Sequence, residues 1–149
     1  MKLLIFKAAD ARLPRLKLDR LFTAIVQYEL DPSFPSNVNA IFVDDTQMRE
    51  LNQEFRSLGR TTDVLSFVVD DIHEEEGTFG EIYISCDRAR EQAREYKVSF
   101  TDELLRLFAH GMLHLAGWDH HDDESLARMQ NRENFFLHKL REGEMKHDR

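Results

Sequence analysis

Apolar residues occur in two different patterns along this chain, and these patterns predict its strands and helices. Short, nearly continuous apolar runs predict four strands, at 3–6, 38–43, 63–69 and 79–85. Apolar residues spaced three or four positions apart predict five helices, at 16–30, from Asp45 or Thr46 to about 56, at 87–97, from about 99 to 115, and at 122–140. The pattern predicts an α+β fold in one domain covering 1–149, with about four strands in a mixed sheet packed against about five helices.

Turn and capping residues separate these segments. The proline-containing segment 31–36 ends the first helix, and an acidic loop at 70–77 separates the third and fourth strands. Ser99, followed three positions later by Asp102, resembles a capping box that opens the fourth helix. The helix from 45 or 46 is expected to end near Arg56, since a glycine and two threonines follow it.

The composition is that of a soluble globular protein. The 149 residues are 42% hydrophobic and 32% charged, and no apolar run approaches the roughly 20 residues that cross a bilayer. Segment 1–7 holds only four apolar residues between charges, which predicts a strand rather than a secretory leader. Cys86 is the single cysteine, so no disulfide can form within the chain. These features favour a cytoplasmic protein with no membrane segment.

The formal net charge of −8 speaks against a protein that binds nucleic acid over its whole surface. The acidic residues are clustered, however, so a local basic cleft remains compatible with this charge. The two clusters lie within 70–76 and 119–124.

Four of the seven histidines fall between positions 110 and 121. His110 and His114 are four residues apart, so a helix would place both on one face. Gly117 can adopt the left-handed conformation that ends a helix, and the returning chain would bring His120 to the same point. Three imidazoles leave a coordination position open, as in catalytic zinc sites. The sequence therefore predicts one Zn²⁺ ion held by His110, His114 and His120 at a helix C-terminus.

Other interpretations of these residues stay open. Two histidines at helical spacing are more often surface or core residues than ligands, and His121 could replace His120 as the third ligand. Asp119 could orient a ligand histidine or only shape the turn. The remaining histidines are expected on the surface: His73, His138 and His147.

The spacing H-x-x-x-H-x-x-G-x-x-H also occurs in a class of zinc peptidases, where glutamate follows the first histidine as general base. Gly111 occupies that position here and cannot accept a proton. Peptide hydrolysis by that route is therefore disfavoured. Gly111 is instead expected to leave room for a bulky substrate beside the metal.

Three segments together resemble the YbeY family of bacterial metal-dependent endoribonucleases. Segment 110–120 is similar to the signature HGxLHLxGYDH, with Trp118 in place of tyrosine. Leu51, Asn52, Phe55 and Arg56, followed by 62–67, resemble LNxxYR…PTNVLSF, with Thr61 in place of proline. Segment 79–85 is similar to the strand LGDIxIS.

This resemblance implies a fold, an activity and further site residues. The family has an α+β fold with a three-histidine metal at one end of a cleft. It implies a zinc-dependent, single-strand-specific endoribonuclease in ribosomal RNA processing (16S rRNA 3′ end maturation) and ribosome assembly or quality control, with RNA precursors and the ribosome or small-subunit proteins as partners. It also implies catalytic roles for Arg56 and His114, and a guanidinium suits phosphate because it donates two hydrogen bonds and stays charged. Arg60 could hold flanking phosphates, while Ser66 and Glu81 could lie near the site or be structural.

Two alternatives from other classes accompany this hypothesis. The protein could be a ribosome-associated assembly factor whose metal is mainly structural, or a metal-dependent hydrolase of another substrate. Under the endoribonuclease hypothesis no general base is evident, so the nucleophile could be metal-activated water or the RNA 2′-hydroxyl.

Overall fold

The structure, a computed structural model, describes residues 1–56, 63–69 and 77–147. Its strands are β1 (Lys2–Lys7), β2 (Asn37–Val43), β3 (Val64–Val68) and β4 (Thr78–Ser85). Its helices are α1 (Arg15–Glu29), α2 (Asp45–Arg56), α3 (Cys86–Tyr96), α4 (Phe100–Leu115) and α5 (Asp123–His147). Within these ranges, the predicted α+β class with four strands and five helices is confirmed.

The four strands form one mixed sheet in the order β1-β2-β4-β3. β1 pairs with β2 and β2 with β4 in parallel, and β3 pairs antiparallel with β4 at one edge. Helical crossovers join the parallel strands, as parallel pairing requires. The antiparallel edge strand carries Ser66 on the face of the sheet against which α4 packs.

Helix α4 lies in the centre of the helical layer. Ten of its sixteen residues are buried, and it contacts α1, α3, α5 and the sheet. Most of its side chains join those of α1, β2 and β4 in the main core, including Leu18, Phe42, Ile82, Leu104 and Phe108. A smaller cluster of Val43, Met48 and Leu65 lies between α2 and the other face of the sheet. Because α4 is enclosed on several sides, its C-terminal end has a fixed position relative to the sheet.

The observed boundaries differ from the predicted ones at a few ends. Helix α5 extends to His147, beyond the predicted end at 140, since the apolar spacing stops while good helix-forming residues continue. Strand β3 is one residue shorter than predicted at each end, although the Asp63 carbonyl and the Val69 N–H still form hydrogen bonds with β4. The predicted loop at 70–77 lies almost entirely outside the described residues, as do Arg60, Thr61 and His73. None of the helices in the described ranges has the length and apolar character that crossing a bilayer requires.

Gly111 allows α4 to approach the sheet closely. A Cβ atom at this position would lie 2.6 Å from Ile82 Cγ2 and 3.2 Å from both Ser66 Oγ and Val64 Cγ2. The Ser66 hydroxyl donates a hydrogen bond to the Gly111 carbonyl at 3.0 Å. The expectation that Gly111 makes room for a substrate is therefore wrong: its missing side chain makes room for β3 and β4.

Replacing Gly111 by alanine should destabilise the protein. A methyl carbon 2.6 Å from the Cγ2 methyl of Ile82 must displace the helix or the sheet, and such overpacking costs about 1–3 kcal/mol. Gly143→Ala is the matched control, because a Cβ there meets nothing within 4 Å and alanine favours a helix over glycine by up to about 1 kcal/mol. Urea unfolding should show a loss for Gly111→Ala and a small gain for Gly143→Ala. Equal gains would contradict the close approach.

Candidate metal centre

The end of α4 is a tight glycine turn. Gly117 has a φ of 101°, a left-handed conformation that glycine adopts without strain. Its N–H donates to the His114 carbonyl at 3.0 Å, and the Trp118 N–H donates to the Leu113 carbonyl at 2.9 Å. These two bonds define a Schellman motif, which satisfies the last carbonyls of the helix and reverses the chain. The predicted role of Gly117 as the helix-ending residue is confirmed.

This reversal brings three imidazoles together. His110 and His114 extend from the last turns of α4, and His120 extends from the segment after the turn. The ring centroids are 4.6 Å apart for His110 and His114, and 5.5 and 5.6 Å from these two rings to His120. One ligand nitrogen from each ring lies within 4.8 Å of the other two. The predicted cluster is therefore present.

The arrangement fits a divalent ion. Tetrahedral ligands that hold zinc at about 2.0–2.1 Å are themselves about 3.3 Å apart, and the His110 and His114 Nε2 atoms are separated by 3.0 Å. Imidazole nitrogen suits zinc, copper, nickel and iron. Among the described residues the group consists of these three histidines, so a fourth ligand position would be open to water or substrate.

Burial favours the form of His114 that can bind a metal. Desolvation lowers the pKa of His114 below its usual value, and the nearby ring of His110 lowers it further. A hydrogen bond with the backbone of Trp118 acts in the opposite direction. The net effect keeps the ring neutral to lower pH than in water. Neutral imidazole is the ligand form, so less proton release accompanies binding.

Glu133 is a site-associated residue that the sequence analysis missed. Its Oε2 lies 2.7 Å from His110 Nδ1, and its side chain is only 2% exposed. A signal for it existed in the sequence. On α5 the buried positions Met129, Phe136 and Leu140 form one stripe, and Glu133 occupies the position between the first two. A carboxylate on an apolar helical face requires a partner inside the protein.

Partly buried hydrogen bonds hold the turn after α4. The Trp118 indole N–H donates to Glu29 Oε2 at 3.1 Å, and the Arg132 Nε–H donates to Glu29 Oε1 at 2.5 Å. Glu29 lies at the end of α1 and Arg132 on α5, so the turn is attached to both helices. Trp118, at the position where the resembling family has tyrosine, thus supplies a hydrogen-bond donor as well as apolar surface.

The structure shows which of the other predicted site residues lie at the histidine cluster or its pocket. His121 is 77% exposed and lies outside the cluster. Asp119 Oδ1 accepts the backbone N–H of His120 at 2.8 Å, which favours the turn-shaping interpretation. Ser66 lines the pocket, whereas Glu81 accepts from Tyr83 and lies with it on the face packed against α2.

The structure tests neither of the two predicted arginines. Arg56 is the last residue of α2, and its side chain lies outside the described part of the chain, so its catalytic role stays a prediction. Arg60 lies outside the described residues altogether. Of the remaining histidines, His138 is exposed and paired with Glu142, as a surface residue should be.

The three histidines open into a pocket of about 630 Å³. Two carboxylates line it, those of Asp63 and Asp119, together with Val64, Ser66, Gly117 and Trp118. Asp63 Oδ2 accepts a hydrogen bond from Gln92 on α3 at 3.2 Å. No general base is evident from the sequence alone; among the described residues, Asp63 and Asp119 are the acidic side chains that line the pocket.

The fold and the site together define an α+β protein with an open three-histidine centre suited to a divalent metal. The sequence model of one family, described as endoribonuclease YbeY, matches residues 5–141. The chain belongs to the YbeY endoribonuclease family, which confirms the resemblance noted in the sequence.

Individual relatives agree with this assignment. The endoribonuclease YbeY of Clostridioides difficile is 43% identical over 69% of this chain and 71% of its own length. That of Desulforamulus reducens is 38% identical over 81% and 85%, respectively. The solution structure of a Thermotoga maritima protein is 31% identical, with a TM-score of 0.63 over 97% of this chain and 93% of that one.

A paramagnetic ion should quench the fluorescence of Trp118. Trp118 is the single tryptophan of the chain and lines the same pocket as the three histidines. Titration with Co²⁺ should therefore give saturable quenching at about one ion per chain, since imidazole binds this metal as well. His114→Ala should abolish the effect, and His138→Ala, which removes an exposed histidine on α5, should not. Undiminished quenching in His114→Ala would contradict the proposed centre.

Proposed function

We propose that the protein is a metal-dependent endoribonuclease that cleaves single-stranded RNA and acts on ribosomal RNA precursors, in 16S rRNA 3′ end maturation and ribosome assembly or quality control. The observation that carries this proposal is the convergence of His110, His114 and His120 within 4.8 Å in a chain of the YbeY endoribonuclease family. The three histidines are the proposed metal ligands, and zinc is the proposed ion because imidazole donors in a tetrahedral arrangement suit it.

The ligand set supports a catalytic rather than a structural role for the ion. Structural zinc is usually enclosed by four protein ligands, whereas catalytic zinc keeps a position open. Here three histidines line an open pocket, and His120 is exposed to solvent. A divalent ion held there would supply Lewis-acid chemistry, polarising a phosphoryl oxygen and acidifying water.

Arg56 is proposed to stabilise the phosphate. Cleavage of a phosphodiester adds negative charge to the non-bridging oxygens, and a fixed guanidinium can donate two hydrogen bonds to them. Helix α2 ends at Arg56, on the side of the sheet opposite α4.

Asp63 and Asp119 are the proposed proton acceptors. Both line the pocket, and each carboxylate has one oxygen engaged, by Gln92 Nε2 and by the backbone N–H of His120 respectively. Either could accept a proton from water or from the RNA 2′-hydroxyl, which remain the two candidate nucleophiles. These contacts would hold the acceptor in place during the proton transfer.

The acidic character of the chain favours action on a bound particle. A protein with net charge −8 gains little long-range attraction to free RNA. We therefore infer that the ribosome or a small-subunit protein presents the RNA.

RNA cleavage should require both the ion and His114. Purified protein is expected to cleave a single-stranded RNA, and chelation by EDTA or the substitution His114→Ala should remove this activity, because either change empties the site. The measurement is product formation on a gel, with circular dichroism showing that His114→Ala is folded. A folded, metal-free and inactive variant supports catalysis. Cleavage that survives both treatments would refute the proposal, and unfolding on metal loss would favour the structural alternative.

Arg56→Ala should lower the cleavage rate more than it lowers metal affinity. Loss of one fixed donor to a developing oxyanion typically reduces kcat about 10²–10³-fold. The matched control is Arg49→Ala, which removes an exposed arginine from the same helix. Single-turnover cleavage and zinc affinity would be measured for both variants. Equal rates for the two variants would exclude Arg56 from the reaction.

A further inference from the structure

A buried carboxylate lies directly behind one of the histidines. Glu133 Oε2 is 2.7 Å from His110 Nδ1, while His110 Nε2 faces His114 Nε2 at 3.0 Å. The two ring nitrogens of His110 therefore have separate partners: one faces α5 and the other faces the cluster. The His110 side chain is 16% exposed, so its ring has little freedom to turn.

The carboxylate belongs to a small charged group inside the helical layer. Arg106 binds Glu103 through two contacts, at 2.8 and 2.5 Å, and its Nη1 lies 3.5 Å from Glu133 Oε1. Both glutamate side chains are 2% exposed. Arg106 thus faces two buried carboxylates, of which only Glu133 contacts a histidine of the cluster.

Burying a carboxylate at this position destabilises the fold unless ion pairs and hydrogen bonds offset the loss of its hydration. Burying ion pairs often contributes no net stability compared with apolar residues of similar volume. An apolar residue at 133 would continue the stripe of Met129, Phe136 and Leu140. Packing alone therefore does not explain a glutamate at position 133, whereas the hydrogen bond to His110 does.

We propose that Glu133 is a positioning residue for the metal centre: it accepts the Nδ1 proton of His110 and so directs the lone pair of Nε2 into the cluster. This inference rests on the proposed metal site. A carboxylate that accepts from the remote nitrogen fixes the tautomer and the ring orientation of a ligand histidine and raises its basicity. Glu133 itself would not touch the ion or the RNA.

The chain offers a matched control for this role. Glu133→Gln and Glu103→Gln each remove one buried negative charge from the same Arg106, but only the first alters the contact with His110. Zinc affinity would be measured by competition with a chromophoric chelator, and the stability of the metal-free protein by urea unfolding. Glu133→Gln should weaken zinc binding about 10–100-fold, the usual effect of losing such a partner. Glu103→Gln should bind zinc nearly as the wild type does, although both variants lose stability.

Two results would overturn the inference. One is wild-type zinc affinity in Glu133→Gln, and the other is an equal loss in both variants, which would indicate a general effect of charge or stability. If Glu133→Gln does not fold, the tautomer in the metal-free wild type decides instead. Imidazole ¹⁵N shifts, assigned with His110→Gln, should show a proton on His110 Nδ1, and an unprotonated Nδ1 would contradict the proposal.

The same measurements separate this inference from the proposed function. Wild-type protein that binds no zinc would contradict the metal centre itself. Wild-type protein that binds zinc tightly, with Glu133→Gln unaffected, would leave the metal centre standing and reject only the role of Glu133.

Discussion

The candidate site depends on the point at which helix α4 ends. If the helix continued beyond Leu115, His120 would be carried away from His110 and His114, because each further residue adds about 1.5 Å along the axis. The left-handed turn at Gly117 prevents this by reversing the chain. The hydrogen bond from Trp118 to Glu29 then attaches the reversed segment to α1. A local backbone preference and one tertiary contact thus together bring the third imidazole to the other two.

The position of α4 itself is set by its contact with the sheet. At Gly111 the helix approaches Val64, Ser66 and Ile82 so closely that a methyl group has no space. His110 is adjacent to this contact in sequence, and Asp63 is adjacent to Val64, so the contact also fixes the distance between the histidines and the pocket carboxylate. The glycine at the position of the peptidase glutamate is therefore a packing requirement, and it removes a base at the same time.

Features that depend on neighbouring residues could be predicted from the sequence, whereas contacts between distant segments could not. Periodicity located the helices and strands, and histidine spacing with Gly117 located the cluster, since both are properties of neighbouring residues. Gly111 was misinterpreted because the space around a residue depends on β3 and β4, which are distant in sequence. Glu133 was missed because its partner His110 is 23 positions away. Only the interruption of an apolar stripe indicated it.

The three histidines differ in how firmly the fold holds them, from the two on α4 to the one on the turn. His110 and His114 are both partly buried on helix α4, with Glu133 behind His110, whereas His120 is exposed on the turn. Rigid ligands lower the entropy lost on metal binding, while an exposed ligand leaves the ion accessible. The pocket therefore opens beside His120, where Asp119 and Trp118 also lie. The two helical histidines form the inner part of the pocket lining, and His120 with Asp119 forms its solvent-exposed part.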